Sequence, residues 1–114
     1  MNIEVVDIKD RGNKVKERIV LKALSNLDIG YYIVFLTTKT GENSFSSTPK
    51  NIFWFPDKDI NEGDLVVLYT KSGKNSIKDN KSGNRTHFFY WGLTPPVFEN
   101  KNKIAVVIES SGWT

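Results

Sequence analysis

The chain has 114 residues, 39% of them hydrophobic and 25% charged, with one histidine, no cysteine and a net charge of +3. That length suits one domain rather than two, and the balance is that of a globular protein rather than a disordered one. Without cysteine, disulfides, thiol nucleophiles and Cys-ligated metal sites are excluded, and no apolar run approaches the roughly 18 residues of a membrane-spanning helix.

Residues 1–7 carry acid at Glu4 and Asp7 and lack the basic and apolar regions of an export signal, so the expected location is cytoplasmic. On that expectation the sequon Asn84-Arg85-Thr86 is a chance match. Residues 3–8 read as a first strand, with Val5 and Val6 supplying β-branched side chains. Asp10 to Asn13 is turn chemistry, since Gly12 and Asn13 accept positive φ. Across residues 15–24 the apolar Ile19, Leu21 and Ala23 alternate with Arg18, Val20 and Lys22, a period of two. Val20 and Leu24 also fit a helical stripe, but the alternation favours a strand. A turn or a single 3₁₀ turn is expected at 26–30.

Residues 31–38 form the clearest strand, an apolar run suited to burial on both faces or to the centre of a sandwich. A polar connection over 41–49 has room for a short edge strand at 44–46. A further strand runs from Asn51 to Phe55 and stops at Pro56, which has no N–H to donate. After a loop at 57–63, residues 64–70 are strand again. Residues 71–85 are rich in Gly, Ser, Asn and Lys, with Ile77 alone able to anchor a core, so they read as a long mobile hairpin excursion. Residues 86–91 return as an aromatic strand, 92–96 turn through a proline pair, Val97 and Phe98 pair briefly, and 104–109 form the last strong strand.

This gives seven or eight short strands with turn signals between them, the pattern of an all-β sandwich or small barrel in a single domain. Fourteen aromatic residues, concentrated in those strands, can fill its core. The order of features from about residue 19 onward resembles the lamin tail domain. The resemblance rests on Glu17 to Asn26 as an opening strand and Asp28-Ile29-Gly30-Tyr31-Tyr32-Ile33 after it. It continues through Phe53-Trp54-Phe55-Pro56 and Ile60-Asn61-Glu62-Gly63-Asp64-Leu65-Val66-Val67-Leu68, and closes on Trp91-Gly92, Asn100, residues 104–108 and Gly112. It departs from the family at Asn102-Lys103, where a Gly-Asp turn is usual, and in its basic 71–85 segment. The resemblance implies an immunoglobulin-like antiparallel β-sandwich with a binding or scaffolding habit and no enzymatic activity.

The residues agree in offering little catalytic chemistry. His87 is the only imidazole and lies on an aromatic strand, where a half-exposed structural histidine is expected. Asp57, Asp59, Glu62 and Asp64 form the one acidic cluster; its opening Asp-x-Asp-x-Asn imitates a calcium loop, but Glu62 stands at the sixth position and Leu68 at the twelfth. A solvated loop is expected there, with no metal and no cofactor. Two binding surfaces remain. Lys71, Lys74, Lys78, Lys81 and Arg85 face a single acid, Asp79, in their segment, and could bind a polyanion or nucleic acid without sequence preference. Trp113, beyond the last strand, could engage another protein or a second copy, whereas Trp54 and Trp91 are expected in the core. The favoured reading is a non-catalytic interaction module, with polyanion binding as the alternative.

Overall fold

The computed structural model describes residues 1–46 and 50–112. Their regular structure is almost entirely β, with no α-helix and one 3₁₀ turn, Ile29–Tyr31. Trp113 lies outside the described residues.

Eleven strands are present among the described residues, three of them only two residues long. β1 (Ile3–Lys9), β2 (Arg18–Ala23), β8 (Leu65–Tyr69), β10 (Arg85–Tyr90) and β9 (Ser76–Asp79) form a five-stranded sheet in that spatial order. In the second sheet β4 (Tyr32–Gly41) is central. β11 (Lys103–Glu109) pairs along one side of it, while β6 (Lys50–Trp54) and then β5 (Ser44–Phe45) pair along the other. β3 (Leu27–Asp28) and β7 (Asp59–Ile60) make a small ribbon.

The expectation of antiparallel pairing throughout is corrected at one place: β10 runs parallel to β8. After β8 the chain crosses to the sheet edge as β9, turns at Asn80–Asn84, and returns as β10 between the two. Side-chain chemistry accounts for the order. β10 carries rings on both faces and needs neighbours on both sides, whereas the Ser- and Lys-bearing β9 tolerates an exposed edge. The 71–85 segment thus contains an edge strand, and Ile77 is exposed rather than an anchor.

The core lies between the sheets. Ile19, Leu21, Val66, Leu68 and Phe89 from the first face Tyr32, Val34 and Leu36 from the second, and Ile29, Phe55, Ile60 and Phe98 fill in from the connections. Phe55 meets Phe53 and Phe89 edge-on, each at 5.0 Å between ring centres. Val97 and Phe98 do not form a strand; Phe98 is instead a fully buried core residue. Glu17 explains how a loop residue reaches that position. Its buried carboxylate accepts N–H groups from Gly12, Val97 and Phe98 and the Thr70 hydroxyl, at 2.7–3.2 Å. One side chain thereby fixes the 10–13 turn, the end of β8 and the connection leading to β11.

Candidate interaction surface

Alternation along a strand sends successive side chains to opposite faces, so the register determines what the second sheet shows to solvent. On β4, Tyr32, Val34 and Leu36 point into the core, which leaves Ile33 and Phe35 outside. Ile33 lies between Trp54 of β6 and Ile108 of β11. Phe35 lies between Ile52 and Val106, and Ile104 follows opposite Thr37. Phe45 of β5 closes the patch, its ring 6.4 Å from that of Phe35. The outer face is therefore a continuous array of aliphatic and aromatic groups with no charged side chain at its centre. Ile52, Trp54, Phe45 and Ile108 are 41–64% exposed.

Two local features set this geometry. Asn51, at φ 52°, is the extra residue of a bulge that lets β6 run on from Lys50 while keeping Ile52 and Trp54 on the outer face. The Trp54 indole N–H donates to the Gly30 carbonyl at 2.6 Å, which anchors the indole at the rim. The Gly30 backbone is in turn held by Asp28, whose carboxylate accepts the N–H groups of Gly30 and Lys58 at 2.8 and 3.0 Å. Trp54 was expected in the core. The structure corrects this because Phe53 and Phe55 occupy the inward positions on either side of it.

The basic residues do not converge. The Lys71 ammonium lies over the Tyr69 ring at 5.2 Å, near the C-terminal ends of β8 and β10. Arg85 pairs with Asp79 at 3.0 Å at the other end of β10, Lys78 lies opposite Thr86 in β9, and Lys74 and Lys81 are exposed on either side of that strand. From Tyr90 back to Arg85 is about 17 Å of strand, so the five positions line an edge rather than surround a point. Tyr69 stacks on Tyr90 at 5.3 Å, and Arg18 lies 5.9 Å from the Tyr69 ring centre. Gly73 packs against Tyr90. These ring faces are already covered.

His87 is buried, not half-exposed, and its Nε2 is 2.9 Å from an Asp64 oxygen that is equally buried. Asp64 also accepts the backbone N–H groups of Asn61 and Arg85. Burial alone would raise the Asp64 carboxyl; the hydrogen bonds from His87, Arg85 and Asn61, with the charge of His87, outweigh it and hold the group below the ordinary carboxylate value. The pair ties the turn before β8 to β10. Its neighbours in the acidic segment, Asp57, Asp59 and Glu62, are exposed, and among the described residues no three metal-ligating side chains come together. Lys58, resting 5.5 Å over the buried Phe89 ring, has its ammonium pKa lowered by burial and then by Arg85.

Sequence reasoning singled out Trp113 and the lysines but not this apolar face. The signal was present: residues 31–36, 52–55 and 104–108 are continuous apolar runs, and two layers cannot cover both faces of all three. A scan against protein-family models finds no match, and searches of curated proteins and of solved structures find none either.

Proposed function

We propose that the protein is a non-catalytic interaction module whose partner-binding surface is the outer face of the second sheet. The observation that carries this reading is the uncharged array formed by Ile33, Phe35, Phe45, Ile52, Trp54, Ile104, Val106 and Ile108. At 41–64% exposure, large side chains of about 150–250 Å² each leave roughly 100 Å² apiece in water. With the half-buried members added, the patch is about 500 Å², at the upper end of what monomeric proteins show and typical of a functional surface. The reading also keeps an immunoglobulin-like, lamin-tail-like sandwich as the proposed fold type. Two layers around an aromatic core support it, and the parallel β8–β10 pair is the departure it has to accommodate.

The test is native-state binding of an apolar fluorescent probe such as bis-ANS. The folded chain should enhance its fluorescence, and Ile52→Glu should remove most of that signal while leaving the circular dichroism spectrum unchanged. A folded wild-type chain that does not enhance the probe overturns the proposal.

A further inference from the structure

The apolar face calls for a partner of particular chemistry, and resting on the reading above, we infer that this partner is a second copy of the same chain, packed sheet against sheet. An occupant must present a broad uncharged surface of matching size. It must also be pleated like a sheet, so that its side chains fit between the rows Trp54–Ile33–Ile108 and Ile52–Phe35–Val106. A second copy meets both requirements with the same residues. Because a two-fold arrangement sets each patch against its own equivalent, no separate complementary surface is needed.

The area fits a dimer of modest affinity. Two patches of about 500 Å² bury about 1,000 Å² together, near the lower limit for a specific interface and below the roughly 1,600 Å² of a standard one. The expected product is a reversible dimer with a Kd of about 1–100 µM rather than a permanent one. Face-to-face packing at about 10 Å between sheets would turn the half-exposed layer into the centre of a four-layer assembly. The charge nearest the patch is at its edge: Lys39, which follows the outward series on β4, pairs directly opposite Phe45 at one end. It can stay in solvent while the apolar centre is covered.

Ile52 is the most informative position because it is the most exposed of the set, so replacing it costs the fold little. In a symmetric interface each substitution acts twice. Losing about 1.4 kcal/mol at each of two sites raises Kd about 100-fold. The experiment is sedimentation equilibrium of the full chain from about 1 to 300 µM, comparing wild type, Ile52→Glu, Ile108→Glu and Ile77→Glu. The last changes an exposed isoleucine on the edge strand of the other sheet. Wild type and Ile77→Glu should pass from the 13.0 kDa monomer toward twice that mass as concentration rises. The Ile52 and Ile108 variants should remain monomeric, with circular dichroism spectra and melting temperatures close to wild type. A wild-type chain monomeric at 300 µM, or variants that dimerise like wild type, overturns the self-association. Bis-ANS binding on the same samples separates the two readings. A monomer that still binds the probe through Ile52 retains the apolar docking face and loses only the second copy as its occupant; a monomer that does not bind it loses both.

Discussion

Glu17 should be among the most costly single positions in the molecule to change. Replacement by Ala removes the acceptor for three backbone N–H groups and one hydroxyl, and leaves the N–H of Phe98, 2.7 Å from the carboxylate, in a buried site. Each buried donor left unpaired costs about 1–3 kcal/mol, and hydrogen bonds to a charged acceptor stand at the upper end of the range. Gly12 and Val97 are only partly buried and can recover water, so the sum is about 4 kcal/mol rather than four full penalties. For a domain of this size, about 4 °C of melting temperature per kcal/mol gives a fall of about 15 °C. Glu17→Gln keeps one acceptor oxygen but turns an amide N–H₂ toward other donors, and should lose about half as much. Thermal melts followed by far-UV circular dichroism give the numbers, and tryptophan fluorescence reports whether the 91–102 connection has loosened. The variant should also associate less well than its stability alone requires, because that connection delivers β11, and Ile104, Val106 and Ile108 with it. A Glu17→Ala melt within about 3 °C of wild type would refute the clamp.

Asp64→Asn should cost about 2–3 kcal/mol, since it weakens bonds to His87, Arg85 and Asn61 in a buried site. The folded carboxyl lies below its unfolded value. Its stabilisation is therefore complete above about pH 4 and lost as pH falls through the folded value, so the acid side of the stability profile should be flatter in the variant than in wild type. Gly73→Ala drives a Cβ into the Tyr90 ring, which is already stacked on Tyr69, and should lower stability by about 1–2 kcal/mol with a change in the near-UV spectrum. Because the five basic positions are spread along an edge, generic single-stranded DNA should bind weakly at about 20 mM salt and lose that binding by about 200 mM. Saturable low-micromolar binding at the higher salt would instead make the basic edge a site in its own right.

Strand content was legible wherever β-branched and aromatic residues ran unbroken. The expected strand at 64–70 matches β8 (Leu65–Tyr69), and the alternation of Arg18 to Ala23 outweighed the helical stripe that Leu24 suggested. Pairing partners were not legible. The local signals around Lys71 to Arg85 mark a hairpin, but nothing in those residues says that its second strand docks parallel to β8; that depends on which sheet has an open edge. Glu17 and Asp64 were hidden for a different reason. A carboxylate reads as solvent-facing until its backbone donors are known, and those of Glu17 lie as far away as Val97 and Phe98. Trp54 was misplaced because Phe53, Trp54 and Phe55 cannot all point inward, and composition does not choose which one turns out. Alternation with Phe53 and Phe55 inside leaves Trp54 on the outer face.

The two outer faces of the protein differ in a way that bears on the reading of the second. On the five-stranded sheet, alternation also places apolar side chains outward, at Val20 and Val67, yet these are 7% and 5% exposed. Asp7 of β1 lies opposite Val20 and Phe88 of β10 opposite Val67, and the stacked Tyr69, Phe88 and Tyr90 rings share that face with Arg18, whose guanidinium lies 5.9 Å from the Tyr69 ring centre. The second sheet has the same pleat, and its central β4 carries Ile33 and Phe35 at the corresponding outward positions. Its neighbours supply Ile52, Trp54, Val106 and Ile108 where the first sheet supplies Asp7 and Phe88. Val20 and Val67 are thus covered within the chain, whereas Ile52, Trp54 and Ile108 remain 41–64% exposed. That contrast supports the docking role proposed for the outer face of the second sheet. Ile52→Lys should place a charge in the middle of the second sheet's outer face, abolishing association without loss of the fold. A variant that still self-associates would show that the contact lies elsewhere.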